Sequence, residues 1–303
     1  MIASRPVTWP TRAVARSTRA MVASPHALAT AAGVDVLRRG GNAVDAAIAA
    51  NAVLTVAYPA SCGIGGDAFW LVHLPAQRRT VAYNGSGRTP RAASLDLLPG
   101  GVLPQRGALS VTVPGAVRSW EDVARAHGTR GLDELLAPAE RYARDGVALT
   151  DVVAKYSALN AALLRADADA ARIFLPGGVP RAGDVLRNVE LGETLAAIRR
   201  DGADALYTGA IAERIVRTLE RGGSAMTLDD LASHRTEETT PLRIPWRGGE
   251  LLAHPPNSQG GLLLLAAGAL EGDGDAGEPA WHHLGVEAMK RALAIRDATF
   301  RDP

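Results

Sequence analysis

The chain has 303 residues, 47% hydrophobic and 21% charged, a composition typical of folded rather than disordered proteins. Its 33 basic and 32 acidic side chains leave a formal net charge of +1, so no overall field would attract nucleic acid or an anionic membrane. The longest apolar run, residues 261–270, is too short to span a bilayer. We therefore expect a small-molecule ligand, with no nucleic-acid or membrane partner.

The numbers and positions of lysine, cysteine and histidine exclude several kinds of site. Lys155 and Lys290 are the only lysines, which argues against Schiff-base and Walker-type phosphate sites. The single cysteine, Cys62, cannot form an internal disulfide, which suits a reducing compartment. The adjacent His282 and His283 would point about 100° apart on a helix, and no His-Glu-x-x-His pattern occurs. We expect neither a metal nor another cofactor.

The first 20 residues form a distinct leader. They contain four arginines, no acidic residue and many Ser and Thr, which superficially resembles an organelle transit peptide. They lack the apolar stretch of a secretory signal. We expect residues 1–20 to be a solvated, partly disordered leader, followed by one domain over residues 21–303.

Two helices are predicted next. The Ser24–Pro25 pair is expected to begin a helix that continues over residues 26–37. Asn42 should cap a second helix over residues 43–56, in which Asp45 is the only charge. We predict that this second helix is buried on nearly all sides and packs against a sheet.

Two β-hairpins flank a helical region. Residues 68–74 and 80–83 form the first predicted hairpin, and residues 242–246 and 250–253 form the second. Further helices are predicted over residues 115–126, 132–144, 188–200, 210–221, from 227 onward, 259–270 and 281–300, with a surface loop at 271–277. The pattern indicates one α/β unit with an inserted helical lobe at about 115–235.

A glycine-rich loop covers residues 61–67. It superficially resembles a nucleotide-binding loop, but a dinucleotide fingerprint continues into a helix, whereas a strand is predicted here. We expect its glycines to adopt positive φ and to allow another backbone to come close, as a tight turn over an active-site floor requires. Cys62 within it is expected to be a small buried residue rather than a nucleophile.

The loop over residues 84–90 contains polar and charged side chains that could bind a ligand. It presents Asn84, Ser86 and Arg88 directly after a strand. A guanidinium can bind a carboxylate through two parallel hydrogen bonds. From the residues alone, a surface arginine in a structural salt bridge is an equally open interpretation.

A series of short segments resembles one known family. Residues 21–29, 40–49 and 63–67, in this order, are similar to the start of the γ-glutamyltranspeptidase large subunit. Further similar segments follow in order: Val113-Pro114-Gly115, Pro138-Ala139, Ala143-Arg144-Asp145-Gly146, residues 255–261, Glu287-Ala288, Arg296-Asp297 and Asp302-Pro303. Each segment is weak alone, but their shared order from residue 21 to the end is specific.

The resemblance implies a fold and a mechanism. It implies an α+β protein, the large-subunit part of an N-terminal-nucleophile hydrolase with a four-layer αββα sandwich. In such proteins a precursor cleaves itself, and the freed threonine of a small subunit attacks the substrate with its own α-amine as base. That threonine corresponds to a position beyond residue 303, so we expect no catalytic residue in this chain, no activity from it alone, and a small subunit as partner. Thr239-Thr240 precedes Pro241 rather than a histidine-containing segment and is not expected to be the nucleophile.

One departure from the family pattern bears on the substrate. Typical members carry an Arg-Glu-Thr/Met-Ala-Pro-like motif where this chain has Asn-Gly-Ser-Gly-Arg-Thr-Pro at 84–90. This resembles a divergent, often intracellular branch that includes amidohydrolases and acylases. It implies Arg88 as the anion-binding group, with Asn84 and Ser86 as supporting donors, and a cytoplasmic location. The expected activity is γ-glutamyl or other acyl transfer, or hydrolysis of small amides; the alternative is a non-catalytic fragment that binds a partner chain.

Overall fold

The computed structural model describes residues 14–270 and 279–299. Most of the predicted leader, residues 1–13, and the predicted loop at 271–277 lie outside the described residues. Residues 14–20 form no helix or strand and are exposed. Of the helices in the described part of the chain, none has the length and apolarity that crossing a membrane requires.

Two helices open the fold, α1 (Ala27–Arg38) and α2 (Ala43–Ala57). The predicted start of α1 was wrong, because His26 is the N-cap and its ring accepts a hydrogen bond from the Leu28 backbone N–H at 3.2 Å. Asn42 caps α2 in a capping box with Asp45, as expected from the sequence. Nearly all of α2 is buried.

Hydrogen bonds to Asp45 connect α2 to residues 129–130. Its buried carboxylate accepts hydrogen bonds from the backbone N–H groups of Asn42, Thr129 and Arg130 and from the Thr129 hydroxyl, at 2.6 to 3.2 Å. Burial raises the pKa of Asp45, but these hydrogen bonds outweigh it and hold the pKa below its usual value.

The main sheet has three antiparallel strands in the order β1 (Ala68–Leu74), β2 (Arg79–Gly85) and β5 (Glu237–Thr239). The predicted first hairpin is confirmed, whereas β5 was not predicted. The register places Phe69, Asn84 and Glu237 in one row across the strands. Directly paired residues point to the same side, so this row shares one face of the sheet.

The opposite face packs on helix α3 (Ala116–His127). The Trp70 indole N–H donates to the Ser119 hydroxyl at 3.0 Å, and the Tyr83 hydroxyl lies 2.6 Å from the His127 ring. The helix closest to the sheet is therefore α3, rather than α2 as the sequence led us to expect. α2 packs instead among α1, α3 and the helices that follow.

The rest of the chain is mainly helical. The further helices are α4 (Leu132–Leu135), α5 (Ala137–Asp145), α6 (Asp151–Leu159), α7 (Ala161–Arg165), α8 (Ala168–Phe174), α9 (Val189–Asp201), α10 (Asp204–Tyr207), α11 (Gly209–Arg221), α12 (Leu228–Ala232), α13 (Gly260–Gly268) and α14 (Pro279–Thr299). Two short strands, β3 (Val147–Ala148) and β4 (Val185–Leu186), pair with each other. The predicted helix at 132–144 is divided at Leu136, close to Pro138, and helices α6 to α8 were not predicted.

The second predicted hairpin is confirmed as β6 (Leu242–Trp246) and β7 (Gly249–Ala253). The chain leaving β7 approaches the open face of the main sheet. There the His254 ring lies 4.8 Å from the Phe69 ring, centroid to centroid. This contact brings residues 254–257 beside the row that contains Asn84.

Candidate active site

The loop after β2 is held in place from both sides. The Gly87 backbone N–H donates to the Asp67 carboxylate at 3.0 Å, and the Val113 N–H donates to the Arg88 carbonyl at 3.0 Å. Asn84 accepts from the Ser86 N–H at 3.0 Å. These hydrogen bonds anchor the loop to its neighbours.

The glycines of this loop are required by close packing. A Cβ added at Gly87 would lie 1.5 Å from the Val113 carbonyl oxygen, and one at Gly85 would lie 2.4 Å from the Ser119 Cβ. In the earlier glycine loop, none of the glycines has positive φ, and a Cβ at Gly63 would meet open space. The expectation of positive φ in that loop was wrong, but another backbone does come close at Gly66, whose carbonyl accepts hydrogen bonds from the Gly115 and Ala116 backbone N–H groups at 3.0 and 2.9 Å.

Three polar side chains meet on the open face of the sheet. The Ser86 hydroxyl donates to the Asn84 amide oxygen at 2.7 Å, and the Asn257 amide N–H donates to the Ser86 hydroxyl at 2.9 Å. The Asn84 amide nitrogen has only a long contact of 3.4 Å with the Asn257 oxygen, so it retains donor capacity. We name Asn84, Ser86 and Asn257 the amide cluster. Asn257 lies in a segment that carried the family resemblance, but nothing in the sequence marked its side chain.

Arg88 forms an ion pair with Glu237. The Arg88 side chain is 75% exposed and that of Glu237 is 50% exposed, so the pair lies at the surface beside the amide cluster. This contact is the structural salt bridge that the sequence left open as the alternative for Arg88. Glu237 was not foreseen, because the strand that carries it was not predicted.

Other candidate nucleophiles are poorly placed. Thr239 pairs with Ala82 inside β5, and its backbone takes part in the sheet. Burial raises the pKa of the Cys62 thiol, which disfavours the reactive thiolate. In the described ranges, 14–270 and 279–299, no three His, Cys, Asp or Glu side chains gather as metal ligands.

A groove runs beside the open edge of β1. It has a volume of about 760 Å³ and lies between residues 19–25, the start of β1, and one side of α2. The α2 side presents small residues: Ala43, Ala46, Ala47 and Ala50. Among the described strands, β1 pairs only with β2, so its other edge is unpaired, and Ala68, Phe69 and Trp70 at the start of β1 line the groove.

The comparison with family models decides the assignment, because the γ-glutamyltranspeptidase model matches residues 29–303. The chain belongs to the γ-glutamyltranspeptidase family. It is 39% identical over 293 residues to the glutathione hydrolase-like YwrD proenzyme of Bacillus subtilis strain 168, covering 94% of this chain and 56% of that protein. It is 35% identical over 297 residues to the oxamate amidohydrolase proenzyme of Klebsiella pneumoniae, covering 95% of this chain and 56% of the relative.

Solved structures agree with this family assignment. The fold is similar to the crystal structure of Helicobacter pylori γ-glutamyltranspeptidase with a TM-score of 0.89 and 29% identity, covering 96% of this chain and 86% of that chain. The fold is thus that of the N-terminal-nucleophile hydrolases, α+β, as the resemblance implied. The chain spans about half the length of the curated relatives it matches and corresponds to their large-subunit portion.

Proposed function

We propose that this chain forms the carboxylate-binding part of an enzyme that transfers the acyl group of small amides or hydrolyses them. The observation that supports this proposal is the convergence of Arg88 with the amide cluster on one open face of the sheet. A guanidinium and neutral amide donors side by side are suited to a substrate carboxylate. Arg88 binds that carboxylate, while Ser86 and Asn84 supply further hydrogen bonds.

The ion pair of Arg88 with Glu237 is compatible with this role. Ion pairs between exposed side chains typically contribute only about 0.2–1 kcal/mol. Both side chains are at least half exposed, so the guanidinium can turn toward a ligand at small cost. A guanidinium also has five N–H donors, enough to serve Glu237 and a substrate together.

The proposed nucleophile is a threonine from a small-subunit segment, and this chain alone is inactive. Both curated relatives described above are proenzymes, which is consistent with a cleaved precursor. We place a strand of that partner against the outer edge of β1. β1 is seven residues long and exposes Phe69 and Leu71, which makes it an edge ready to pair with another strand.

Hydrolysis of a small amide other than glutathione is the preferred form of this activity. The loop at 84–90 departs from the usual family motif, and one relative is named as an oxamate amidohydrolase. Oxamate is a small amide with a carboxylate, so Arg88 would bind its carboxylate as it would bind that of a larger acyl donor. Cleavage of glutathione is the second candidate, favoured by the relative named as glutathione hydrolase-like.

A reconstitution experiment tests the proposal. The 303-residue chain is assayed on carboxylate-bearing anilides and on oxamate, first alone and then co-expressed with a threonine-initiated small-subunit segment. We expect product only from the pair, and none when that threonine is replaced by alanine. Turnover by the chain alone that survives Thr239→Ala and Thr240→Ala would contradict the proposed chemistry. A pair that assembles but acts on no amide would favour a non-catalytic, partner-binding chain.

A further inference from the structure

The Tyr207 hydroxyl lies at the start of α3, although Tyr207 itself belongs to α10. It donates a hydrogen bond to the Pro114 carbonyl at 2.7 Å and accepts one from the Arg118 backbone N–H at 2.9 Å. Arg118 is the third residue of α3, so its N–H has no partner within the helix. The N-cap residue, Gly115, has no side chain that could accept this hydrogen bond. Tyr207 therefore caps α3 from another helix.

This contact is buried and requires a neutral hydroxyl. Tyr207 is fully buried, and the Arg118 guanidinium lies 4.7 Å from its ring centroid. Asp204 and Glu121 hold that guanidinium through ion pairs at 2.5 and 3.0 Å. Burial raises the pKa of Tyr207 above its usual value, so the hydroxyl stays protonated and can donate and accept at once. Without the hydroxyl, a buried carbonyl and a buried N–H would each lose a partner.

The turn that Tyr207 holds packs against the loop that carries Arg88. The Val113 N–H donates to the Arg88 carbonyl at 3.0 Å. A Cβ added at Gly115 would lie 2.1 Å from the Gly85 carbonyl oxygen, so the two backbones are in direct contact. Displacement of this turn would therefore displace the Arg88 loop as well.

We propose that Tyr207 is a positioning residue, whose hydroxyl fixes the turn before α3 and, through it, the loop from which Arg88 binds the substrate carboxylate. This inference rests on the proposed function of Arg88. The Tyr207 hydroxyl makes its hydrogen bonds to backbone groups of the turn and of α3, not to the amide cluster or to Arg88. It acts through the loop rather than on the substrate, and it makes or breaks no bond.

Tyr207→Phe removes only the hydroxyl and keeps the ring that packs against Arg118. The protein is the full-length processed enzyme that contains this chain. The readouts are kcat and KM for a carboxylate-bearing anilide and for its amide-capped counterpart, measured with and without Arg88→Ala. We expect Tyr207→Phe to raise KM about fivefold for the carboxylate-bearing anilide, with kcat changed less than about twofold. KM for the amide-capped anilide should be unchanged.

The double-mutant cycle separates positioning from general destabilisation. If Tyr207 acts through the Arg88 loop, Tyr207→Phe should change KM by less than about twofold once Arg88→Ala is present. Thr129→Val is a matched control, because it removes one partly buried hydroxyl that donates to Asp45 at 2.6 Å, beyond the opposite end of α3. This control should lower the melting temperature without raising KM for either anilide.

Glu121→Ala reaches the same contact by a second route. The Glu121 carboxylate accepts a hydrogen bond at 2.9 Å from the backbone N–H of Ala203, the N-cap of α10. Its loss should loosen α10 and with it the placement of Tyr207. We expect KM for the carboxylate-bearing anilide to rise in the same direction by a smaller factor. This variant keeps the inference testable if Tyr207→Phe does not fold.

Three results would overturn the inference. If Arg88→Ala raises KM for the carboxylate-bearing anilide but Tyr207→Phe does not, or Glu121→Ala does not where only that variant folds, the proposed function stands and Tyr207 does not position the loop. An equal rise in KM for the amide-capped anilide, or in the Arg88→Ala background, would assign Tyr207 a merely structural role. If Arg88→Ala itself leaves KM unchanged, the inference fails together with the proposed function on which it rests.

Discussion

Replacement of Arg88 tests the proposed carboxylate site most directly. Arg88→Lys keeps the positive charge but loses the planar fork that makes two parallel hydrogen bonds. A hydrogen bond to a charged group contributes about 1.5–3 kcal/mol, so loss of one should raise KM for a carboxylate-bearing amide about tenfold or more. Arg88→Ala should raise it further. An amide without a carboxylate should be affected by neither variant.

The structure allows this effect to be separated from unfolding. The exposed ion pair of Arg88 with Glu237 should contribute less than about 1 kcal/mol to stability, so the melting temperature of both variants should remain close to that of the wild type. Arg79 offers a matched control. It lies at the start of β2, away from the loop that carries Arg88, and approaches Glu238 at 4.0 Å with a side chain that is 53% exposed. Arg79→Ala should leave KM unchanged.

The assay is steady-state kinetics of the processed enzyme on a carboxylate-bearing anilide and on its amide-capped counterpart. Wild-type KM values for every carboxylate substrate in both Arg88 variants would refute the reasoning. A rise in KM of the same size for the carboxylate-free amide would refute it as well, because the guanidinium would then act on something other than the carboxylate. The anion site would in either case lie elsewhere.

Three further predictions concern packing, electrostatics and assembly. Gly87→Ala should destabilise the chain by about 3 kcal/mol in chemical denaturation, because the added methyl meets a backbone carbonyl, whereas Gly63→Ala should change stability by less than about 0.5 kcal/mol. Asp45→Ala leaves buried donors unpaired and should cost about 3 kcal/mol. Because the folded state lowers the pKa of Asp45, its stabilisation is present at neutral pH and is lost as pH falls below about 4; the pH dependence of melting should flatten in Asp45→Asn. Ala47→Arg in the groove should reduce recovery of a co-expressed small-subunit segment, whereas Ala31→Arg on the exposed side of α1 should not; equal recovery would show that the groove is not the docking site.

The sequence predicted those helices and strands that have a clear cap, turn or hydrophobic period of their own. The cap at Asn42, the apolar helix after it and both hairpins follow from residue types at fixed spacing. The helix start at His26 was missed because serine and proline are the usual signals there, while the ring of a histidine caps less often. Helices α6 to α8 were missed because their apolar residues do not form one continuous stripe facing the core.

The candidate site was predictable only in part. Asn84, Ser86 and Arg88 lie within one short loop, so the sequence itself brings them together, and the structure places them on one face. Their partners Asn257 and Glu237 lie more than a hundred residues away in sequence. Local patterns in one sequence do not show which distant residues meet in the folded chain, so these contacts could not be predicted.

Strand β5 accounts for most of what the sequence missed at this site. With three residues it is too short to show an alternating pattern, and its two glutamates disfavour a strand in isolation. Pairing with β2 makes it a strand, and this same pairing aims Glu237 at Arg88 and Glu238 at Tyr83. It also determines how the sheet can be extended. β5 is a short, charged edge strand, which disfavours pairing with a further strand. β1 at the other edge is longer and exposes apolar side chains. A partner strand should therefore join the sheet beside β1, where the alanine-lined groove of α2 has room for it.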